Sequence, residues 1–477
     1  MRPPLLDGWD KPAATIVVSG EQHGYFEPCG CTGGQLGGMS RRGDLFKQLR
    51  DRGWAVTGLD VGGSVQRQRA QDLLKFKAIT ESMRLLGYTA LAIGPEELNL
   101  GLDNLIGLNV SNEAEPKTSL SFLAANVVFY DTPDLGTPKP FRIVEVGDVK
   151  IGVTAILGAD FNGTALMVQN NKDLKIKKPE EVLPGVIAEM KKQNPDFMVL
   201  LSHTSVDESR SLAKNYPDFN LVLTAGGPED PDGVPEKIGD SLLLSAGRKG
   251  KSIGVVGFFP QKEKKDRFRF QLVEVDGDRL KDTKEIVEQM RQYQRALYDD
   301  KLAGNHSDNI PIEHASGAKF VGSAKCGECH TKAFEVWKGT PHAKAFESLK
   351  HARKGAPDFG ITRIYDAECI ACHVTGWDPQ NVYRYSTGFI NEEFAKDDPQ
   401  KEMSKLLMGV GCENCHGPGS KHIELVEADK KDEARKLMKV TLEQAKKNVC
   451  YSCHDHDNSP HFDFEMYWEK IKHPGLD

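Results

Sequence analysis

The sequence carries CGECH (326–330), CIACH (369–373), CENCH (412–416) and CYSCH (450–454) toward its C-terminus. In a C-x-x-C-H motif the two thiols attach a c-type haem covalently, and the adjacent histidine becomes the proximal ligand of the iron. The alternative is a zinc ribbon, which pairs two C-x-x-C units across a short gap and needs no histidine after each. Because the gaps here are roughly 40 residues and histidine follows every motif, the spacing predicts four covalently bound haems c.

The residues of these motifs divide into two groups by their role toward the haem. The predicted covalent attachment sites are Cys326, Cys329, Cys369, Cys372, Cys412, Cys415, Cys450 and Cys453. The predicted proximal iron ligands are His330, His373, His416 and His454. Four motifs of one type in succession make this the most specific functional signal in the chain.

Each haem iron also has a sixth position, which holds histidine, methionine, water or nothing. His342 lies at a predicted helix start, and His422 follows a Gly-Pro-Gly turn that directs it away from the adjacent motif. His473 closes WEKIKH near the C-terminus. A single histidine could instead be solvated or bonded to a haem propionate, but four irons require ligands. We therefore predict His342, His422 and His473 as distal iron ligands.

Three other histidines are weaker candidates for the same role. His351 and His461 remain alternatives, whereas His456 is too close to His454 to reach another haem face. The segment 318–477 has few long apolar periods, so its side chains alone predict a poor hydrophobic core. Four haems would supply the missing apolar bulk, and the segment is predicted to be a mainly α, loop-rich multihaem domain.

The preceding part of the chain alternates buried-strand patterns with amphipathic helical patterns. Predicted strands are 14–20, 54–63, 88–94, 149–157, 196–203 and 221–227, with antiparallel additions at 253–260 and 266–275. Predicted helices include 41–53 and 71–87. This alternation predicts an α/β domain with covered sheets over residues 1–277. A charged amphipathic helix at 278–303 and a polar linker complete the predicted connection, 278–317.

Composition excludes two classes of protein. The 477 residues include 62 Lys and Arg against 69 Asp and Glu, and the net charge of -7 gives no support for nucleic-acid binding. No stretch reaches the 18 or so apolar residues that a membrane span needs. The opening MRPPLLDGWD has no apolar signal-peptide core, so either a leader was removed or this start is not the native one.

Longer stretches around the four motifs carry a family resemblance. They are FVGSAKCGECHTKAFEVWKGTPHAKAFESL (320–349), ECIACHVTGW (368–377), GVGCENCHGPGSKH (409–422) and CYSCHDHDNSPHFDFEMYWEKIKH (450–473). Together they resemble the tetrahaem cytochrome c-554 type. Carried over position by position, the resemblance supports His342, His422 and His473 as distal ligands. It also implies one five-coordinate haem, expected on Cys369 and Cys372 unless His351 serves as its ligand.

Five stretches of the α/β part carry a second resemblance. They are GEQHG (20–24), GLDVGGS (58–64), LAIGPEELNLG (91–101), LLSHTSVDESRSLA (200–213) and LLLSAGRKGKSIGVVGF (242–258). They resemble the calcineurin-like phosphoesterases of the 5′-nucleotidase type and imply a layered α/β sandwich. That family holds two metal ions with Asp, His and Asn side chains on loops after successive strands, and the metals activate water for attack on phosphate.

The metal loops depart from the family pattern at most positions. Glu21 stands in place of the first aspartate, Gly63 in place of the bridging aspartate, and Pro95-Glu96 in place of Asn-His. GGPED (226–230) contains no histidine where the family has two. His23 and His203 alone survive as a vestigial metal site, so neither hydrolase activity nor a nucleotide cofactor is expected. A rebuilt single-metal site would use Glu21, His23, Asp60, Glu96 and His203.

The segment EPCGCTGGQLGG (27–38) adds Cys29 and Cys31 beside the first of these loops. Such a pair can be inconsequential, or it can form a soft-metal or sulfur-reactive site, because thiolates select soft partners.

The motifs favour an electron-transfer function with redox partner proteins, in which the first domain is a docking or scaffolding module. Because c-type haem is attached outside the cytoplasm, a periplasmic or extracellular location is expected. The alternative is a redox enzyme that acts on a small nitrogen or sulfur compound, at a five-coordinate haem or at the cysteine loop. Hydrolysis by the first domain is the weakest alternative.

Overall fold

The computed structural model describes residues 5–28, 35–114, 119–133, 135–304, 310–351 and 361–473. The described residues up to Gln289 form one compact unit, called the head below, and those from Met290 onward form the C-terminal unit. Cys29 and Cys31 lie outside the described residues, so the soft-metal or sulfur site stays a prediction.

Strands in the described part of the head form two six-stranded sheets and one ribbon. They are β1 (Ala14–Ser19), β2 (Val56–Asp60), β3 (Tyr88–Ala92), β4 (Ser121–Leu123), β5 (Val127–Phe129), β6 (Phe141–Val146), β7 (Val149–Leu157), β8 (Leu174–Ile176), β9 (Phe197–His203), β10 (Leu221–Thr224), β11 (Glu236–Ile238), β12 (Ser241–Leu244), β13 (Ser252–Phe258) and β14 (Phe268–Glu274). The first sheet has the order β14-β13-β1-β2-β3-β4 and the second β11-β12-β10-β9-β7-β6, while β5 pairs with β8.

Neighbouring strands pair in parallel along the series β1, β2, β3 and β4 of the first sheet and along the series β7, β9, β10 and β12 of the second. Both faces of such a sheet are covered, so its strands are apolar along their length. Every residue of β1 and of β9 is accordingly buried. The antiparallel strands predicted at 253–260 and 266–275 are β13 and β14, which pair beside β1.

The two sheets of the head share one hydrophobic core, with helices on the outer faces. Ile16 and Leu59 of the first sheet belong to the same buried cluster as Ile151 and Val199 of the second. Full burial of one such side chain stabilises the fold by about 1.5–3 kcal/mol. The helices are α1 (Met39–Asp51), α2 (Ala70–Leu86), α3 (Pro95–Leu98), α4 (Leu102–Glu113), α5 (Thr164–Asn170), α6 (Pro179–Lys192) and α7 (Val206–Asn215). This arrangement is the predicted layered α/β sandwich.

The helix predicted at 278–303 is shorter than expected. It is α8 (Lys284–Asp299). The Asp276 carboxylate accepts hydrogen bonds from the backbone N–H groups of Asp278, at 2.9 Å, and Arg279, at 3.0 Å. These bonds hold a turn in front of the helix, because a short acidic side chain competes with helical hydrogen bonding.

The C-terminal unit consists of short helices and one small hairpin. They are α9 (Ser323–Gly327), α10 (Thr331–Lys338), α11 (Ala367–His373), β15 (Trp377–Asp378), β16 (Tyr383–Arg384), α12 (Asp398–Leu406), α13 (Cys412–His416), α14 (Ser420–Glu427), α15 (Lys431–Met438), α16 (Leu442–Gln444) and α17 (Phe464–Ile471). None of the helices in the described ranges of the chain is long and apolar enough to cross a membrane.

The expectation of a poor side-chain core is wrong for the first half of this unit. Ile370, Trp377, Phe389 and Leu407 are buried in one cluster that extends from Ala303 to Leu407. Many of its members lie in loops and turns rather than on helices. The sequence therefore shows no regular spacing of apolar residues that would predict their burial. Beyond Leu407, the buried apolar residues among those described are Ala434, Ala445 and Phe464, which is the sparse core that the sequence predicts.

Candidate functional site

Each C-x-x-C-H motif forms one short helical turn. In the first motif the His330 N–H donates to the Cys326 carbonyl at 2.9 Å, and in the fourth the His454 N–H donates to the Cys450 carbonyl at 3.0 Å. The second motif forms the C-terminal end of α11, and the third motif forms α13. One turn of helix brings two cysteines and the following histidine to one side of the backbone, as attachment to a single haem edge requires.

Three pairs of histidine rings face one another across the C-terminal unit. The ring centroids of His330 and His422 are 6.1 Å apart, those of His342 and His454 6.0 Å, and those of His416 and His473 5.9 Å. An imidazole nitrogen lies about 2.0 Å from a bound metal and about 1.1 Å from its own ring centre, so two imidazoles on one iron have centroids about 6 Å apart. The three pairs therefore fit bis-histidine ligation of a haem iron.

In three of these histidines, and in His373 of the second motif, Nδ1 lies beside a hydrogen-bonding group. Nδ1 lies 2.7 Å from the Met438 carbonyl in His416 and 3.1 Å from the Ala434 carbonyl in His422. The Nδ1 of His373 lies 2.8 Å from the Ala345 carbonyl, and that of His454 lies 3.0 Å from the Ser459 hydroxyl. Histidines that bind metals donate their second ring N–H in this way, which fixes the ring and presents Nε2 to the metal.

Burial favours the neutral form of three of these rings. It lowers the pKa of His342, and the neighbouring His454 and His373 lower it further. Burial also lowers the pKa of His416 and of His454. Iron ligation requires a neutral imidazole, so the surroundings and the predicted role agree.

Contacts between cysteines connect the four motifs in one series. The Cys326 and Cys412 thiols are within hydrogen-bonding reach of each other, and so are those of Cys372 and Cys453. Cys415 is close enough to Cys450 and Cys453 for their charges to raise its pKa, although burial raises it most. The motifs therefore follow one another in space in the order first, third, fourth, second.

The other described histidines of the unit belong to none of the three pairs. His351, His456 and His461 are exposed. His314 lies in a pocket of aromatic rings, 4.9 Å from Tyr385 between ring centroids.

In the head, the predicted metal loops come together at the carboxyl ends of β1, β2, β3 and β9. His203 Nε2 lies 3.3 Å from Glu96 Oε2, and His23 Nε2 lies 3.8 Å from Glu21 Oε1. Glu21 is also paired with Arg248 at 3.3 Å. Among the described residues, no group of three or more His, Cys, Asp or Glu side chains is arranged to hold a metal ion.

Side chains that can carry a positive charge lie next to the buried carboxylates of these loops. Burial would lower the pKa of His203, but the contact with Glu96 and its charge raise it to about 9. The raised pKa favours the protonated ring, whereas a metal ligand must be neutral. Arg42, which is 1% exposed, donates to the hydroxyls of Ser19 and Tyr88, both at 3.3 Å. Ser19 in turn donates to Asp60, which is also 1% exposed.

Sequence reasoning missed two buried glutamates that organise the sites. Glu97 accepts hydrogen bonds from the backbone N–H groups of Ser64, at 2.6 Å, and Gly94, at 2.9 Å. Glu413, inside the third motif, accepts bonds from Gly322, at 2.8 Å, and Gly419, at 2.7 Å. The bond from Gly94 to Glu97 is a local one at the start of α3, but the donors Ser64 and Gly322 come from distant parts of the chain, so the sequence pattern does not show that these glutamates are buried.

Comparison with known proteins agrees with the motifs of the C-terminal unit. Residues 325–417 match the family model of cytochrome c554 and c-prime. A cytochrome c-554 from Nitrosomonas europaea is 36% identical over 111 residues, which are 22% of this chain and 41% of that protein. The predicted resemblance to cytochrome c-554 is thus confirmed, and the match implies covalently bound haem c.

The head is similar to an apyrase, a 5′-nucleotidase precursor and a sulfate thiohydrolase. An apyrase from Aedes albopictus is 26% identical over 38% of this chain and 31% of its own length. A 5′-nucleotidase precursor from Thermus thermophilus has a TM-score of 0.50 at 18% identity, over 60% of this chain and 59% of that one. The sulfate thiohydrolase SoxB of the same species has a TM-score of 0.51 at 17% identity, over 62% of each chain. At these identities the structural likeness establishes the fold alone.

Fold and motifs together define a c-type cytochrome segment that follows a head of the calcineurin-like phosphoesterase fold. More particularly, residues 325–417 match the cytochrome c554 family model, and the head has a fold like that of the 5′-nucleotidase precursor. The chain spans less than half the length of the first curated relatives that it matches, the cytochrome and the apyrase.

Proposed function

We propose that this protein is a tetrahaem cytochrome that transfers electrons between redox partner proteins. The observation that carries the proposal is the set of three histidine pairs with centroids 5.9 to 6.1 Å apart. Each pair joins a proximal histidine to one of the three histidines predicted as distal ligands. Bound haems supply one-electron redox chemistry at low potential when both axial ligands are imidazoles.

The series of cysteine contacts supports an electron-relay function. Relay between partners needs redox centres that are close to one another over the whole length of the unit. The contacts Cys326–Cys412 and Cys372–Cys453, with Cys415 close to Cys450, link all four attachment motifs. The first and second motifs are then the two ends of the series, where partners would exchange electrons.

The second motif is the proposed position of a five-coordinate haem. His342, His422 and His473 face the proximal histidines of the other three motifs, and the family resemblance implies one open iron. The test is binding of carbon monoxide to the reduced protein. Binding to one haem in four supports the open position and the alternative of an enzyme for a small nitrogen or sulfur compound. No binding would reject both and leave electron transfer.

The head is proposed to be a docking or scaffolding module without hydrolase activity. Its loops contain the ion pairs Glu96–His203 and Glu21–Arg248 in the place where the family holds metals. We also propose a periplasmic or extracellular location, because c-type haem is attached outside the cytoplasm. The proposed domains are 1–277 and 318–477, joined by the helix and linker at 278–317.

A further inference from the structure

The most deeply buried carboxylate of the C-terminal unit lies between two haem attachment motifs. Glu413 belongs to CENCH and is 2% exposed. Its oxygens accept hydrogen bonds from the backbone N–H groups of Val321, at 2.9 Å, Gly322, at 2.8 Å, and Gly419, at 2.7 Å. Val321 and Gly322 directly precede α9, which contains Cys326 of the first motif. The Glu413 side chain therefore connects the third motif, by hydrogen bonds, to the backbone segment that directly precedes the helix of the first motif.

The charge of Glu413 is not balanced by a cation. No ion pair involves it among the residues that the structure describes, and its hydrogen bonds come from neutral backbone donors. A negative charge in a buried position acts on its surroundings far more strongly than one in water. The charge reaches both motifs. It adds to the raised pKa of Cys326, which comes mainly from the Cys412 thiol, and it opposes the lowering of the pKa of Cys412, which comes mainly from the hydrogen bond with Cys326.

Glu328 also lies between the two cysteines of its motif, CGECH, one position further along than Glu413 does in CENCH, and it has different surroundings. Its side chain is 61% exposed and lies 2.6 Å from Lys325 Nζ. Solvent and the lysine therefore cancel most of its field. The chain thus offers a matched pair of glutamates, one buried and uncompensated and one exposed and paired.

We infer that Glu413 sets the reduction potentials of the first and third haems below the values they would have without its charge. A fixed negative charge favours the oxidised iron, since reduction adds a further electron to the same buried region. Glu413 is a positioning and tuning residue, and it makes no bond to iron. The inference rests on the proposed haem attachment at Cys326, Cys329, Cys412 and Cys415.

The test is a redox titration at pH 8 of the full-length holoprotein with Glu413→Gln, which removes the charge and keeps the shape. Burial raises the pKa of Glu413 overall, although its backbone hydrogen bonds lower it in part, and a pH of 8, well above the ordinary carboxyl range, favours the ionised form. Two of the four potentials should rise, by about tenfold in the equilibrium constant for reduction, or 59 mV for a one-electron couple. Glu328→Gln, the control, should change all four by less than about twofold.

A second variant tests the same inference if Glu413→Gln does not fold or does not acquire its haems. Val321 is half-buried beside the carboxylate, and Val321→Lys adds an ammonium group without removing any donor of Glu413. It should raise the same two potentials. Unchanged potentials in either variant that carries four haems would overturn the inference. A wild-type protein without haem on the first or third motif would instead contradict the proposed function, so the haem count by mass separates the two failures.

Discussion

The imidazole rings of His342 and His454 lie with their centroids 6.0 Å apart, at an angle of 41° between their planes. His342 belongs to a short 3-10 turn after α10, and His454 closes the fourth motif. This separation is the one expected for two imidazoles whose Nε2 atoms bind a single metal ion.

Loss of one distal ligand should change the spin state of one haem. His422→Ala removes the partner of His330 and should convert one low-spin haem to high-spin, because an iron without its sixth imidazole has a weaker ligand field. Electron paramagnetic resonance of the oxidised protein measures the change.

His461→Ala is the matched control, since His461 is exposed and belongs to none of the three pairs. Its spectrum should be that of the wild type. An unchanged spectrum in His422→Ala would show that His422 is not an iron ligand.

Removal of the buried cation in the head should destabilise it strongly. Burial raises the pKa of Asp60 and the charge of Arg42 lowers it. Arg42→Met removes that compensating charge, and such a loss costs about 3–5 kcal/mol of unfolding free energy. Chemical denaturation followed by circular dichroism measures it. The double variant Arg42→Met/Asp60→Asn should recover part of the loss, as the two residues interact. Additive effects of the two changes would contradict the pairing.

The pair His203–Glu96 should make the stability of the head depend on pH. The pKa of His203 is raised to about 9 from 6.5, so its contribution is complete below pH 6.5 and is lost as pH rises through 9. Burial would raise the pKa of Glu96, but His203 lowers it overall, and its contribution disappears only as pH falls below about 4.5.

The measurement is the unfolding free energy between pH 6 and pH 10, for the wild type and for His203→Gln. The wild type should lose more stability over this range than the variant does. Parallel curves would mean that His203 is not protonated in the folded head.

Nucleotides and aryl phosphates should not be hydrolysed at enzymatic rates, with or without added manganese, zinc or calcium. Gly63 and Pro95 have no side chain that binds a metal, and Glu21 and His203 are already in ion pairs. Release of phosphate is the assay. Turnover of about one per second or more would refute the proposal that the head has lost this activity.

The sequence was sufficient to predict those features that depend on local pattern. Apolar runs predicted β1, β7 and β9, and the spacing of Cys and His predicted the attachment motifs. Features that depend on long-range contacts were not predictable. Arg42 lies in SRRGDLF, where nothing distinguishes it from the adjacent Arg41, yet it is buried because β1 and β3 supply Ser19 and Tyr88 as partners.

The candidate distal ligands illustrate the same limit. Sequence context selected His342, His422 and His473, but it did not indicate which motif each one faces. The pairings cross the chain, with His422 facing the first motif and His342 the fourth. Such a crossing arises from the tertiary fold and leaves no local signal.

Intact mass under denaturing conditions shows how many haems are covalently attached to one chain. We expect the mass of the polypeptide plus four haems, with one haem on each of the peptides around Cys326–Cys329, Cys369–Cys372, Cys412–Cys415 and Cys450–Cys453. A mature protein with fewer than four haem masses, or with any of these four cysteine pairs unmodified, would contradict it.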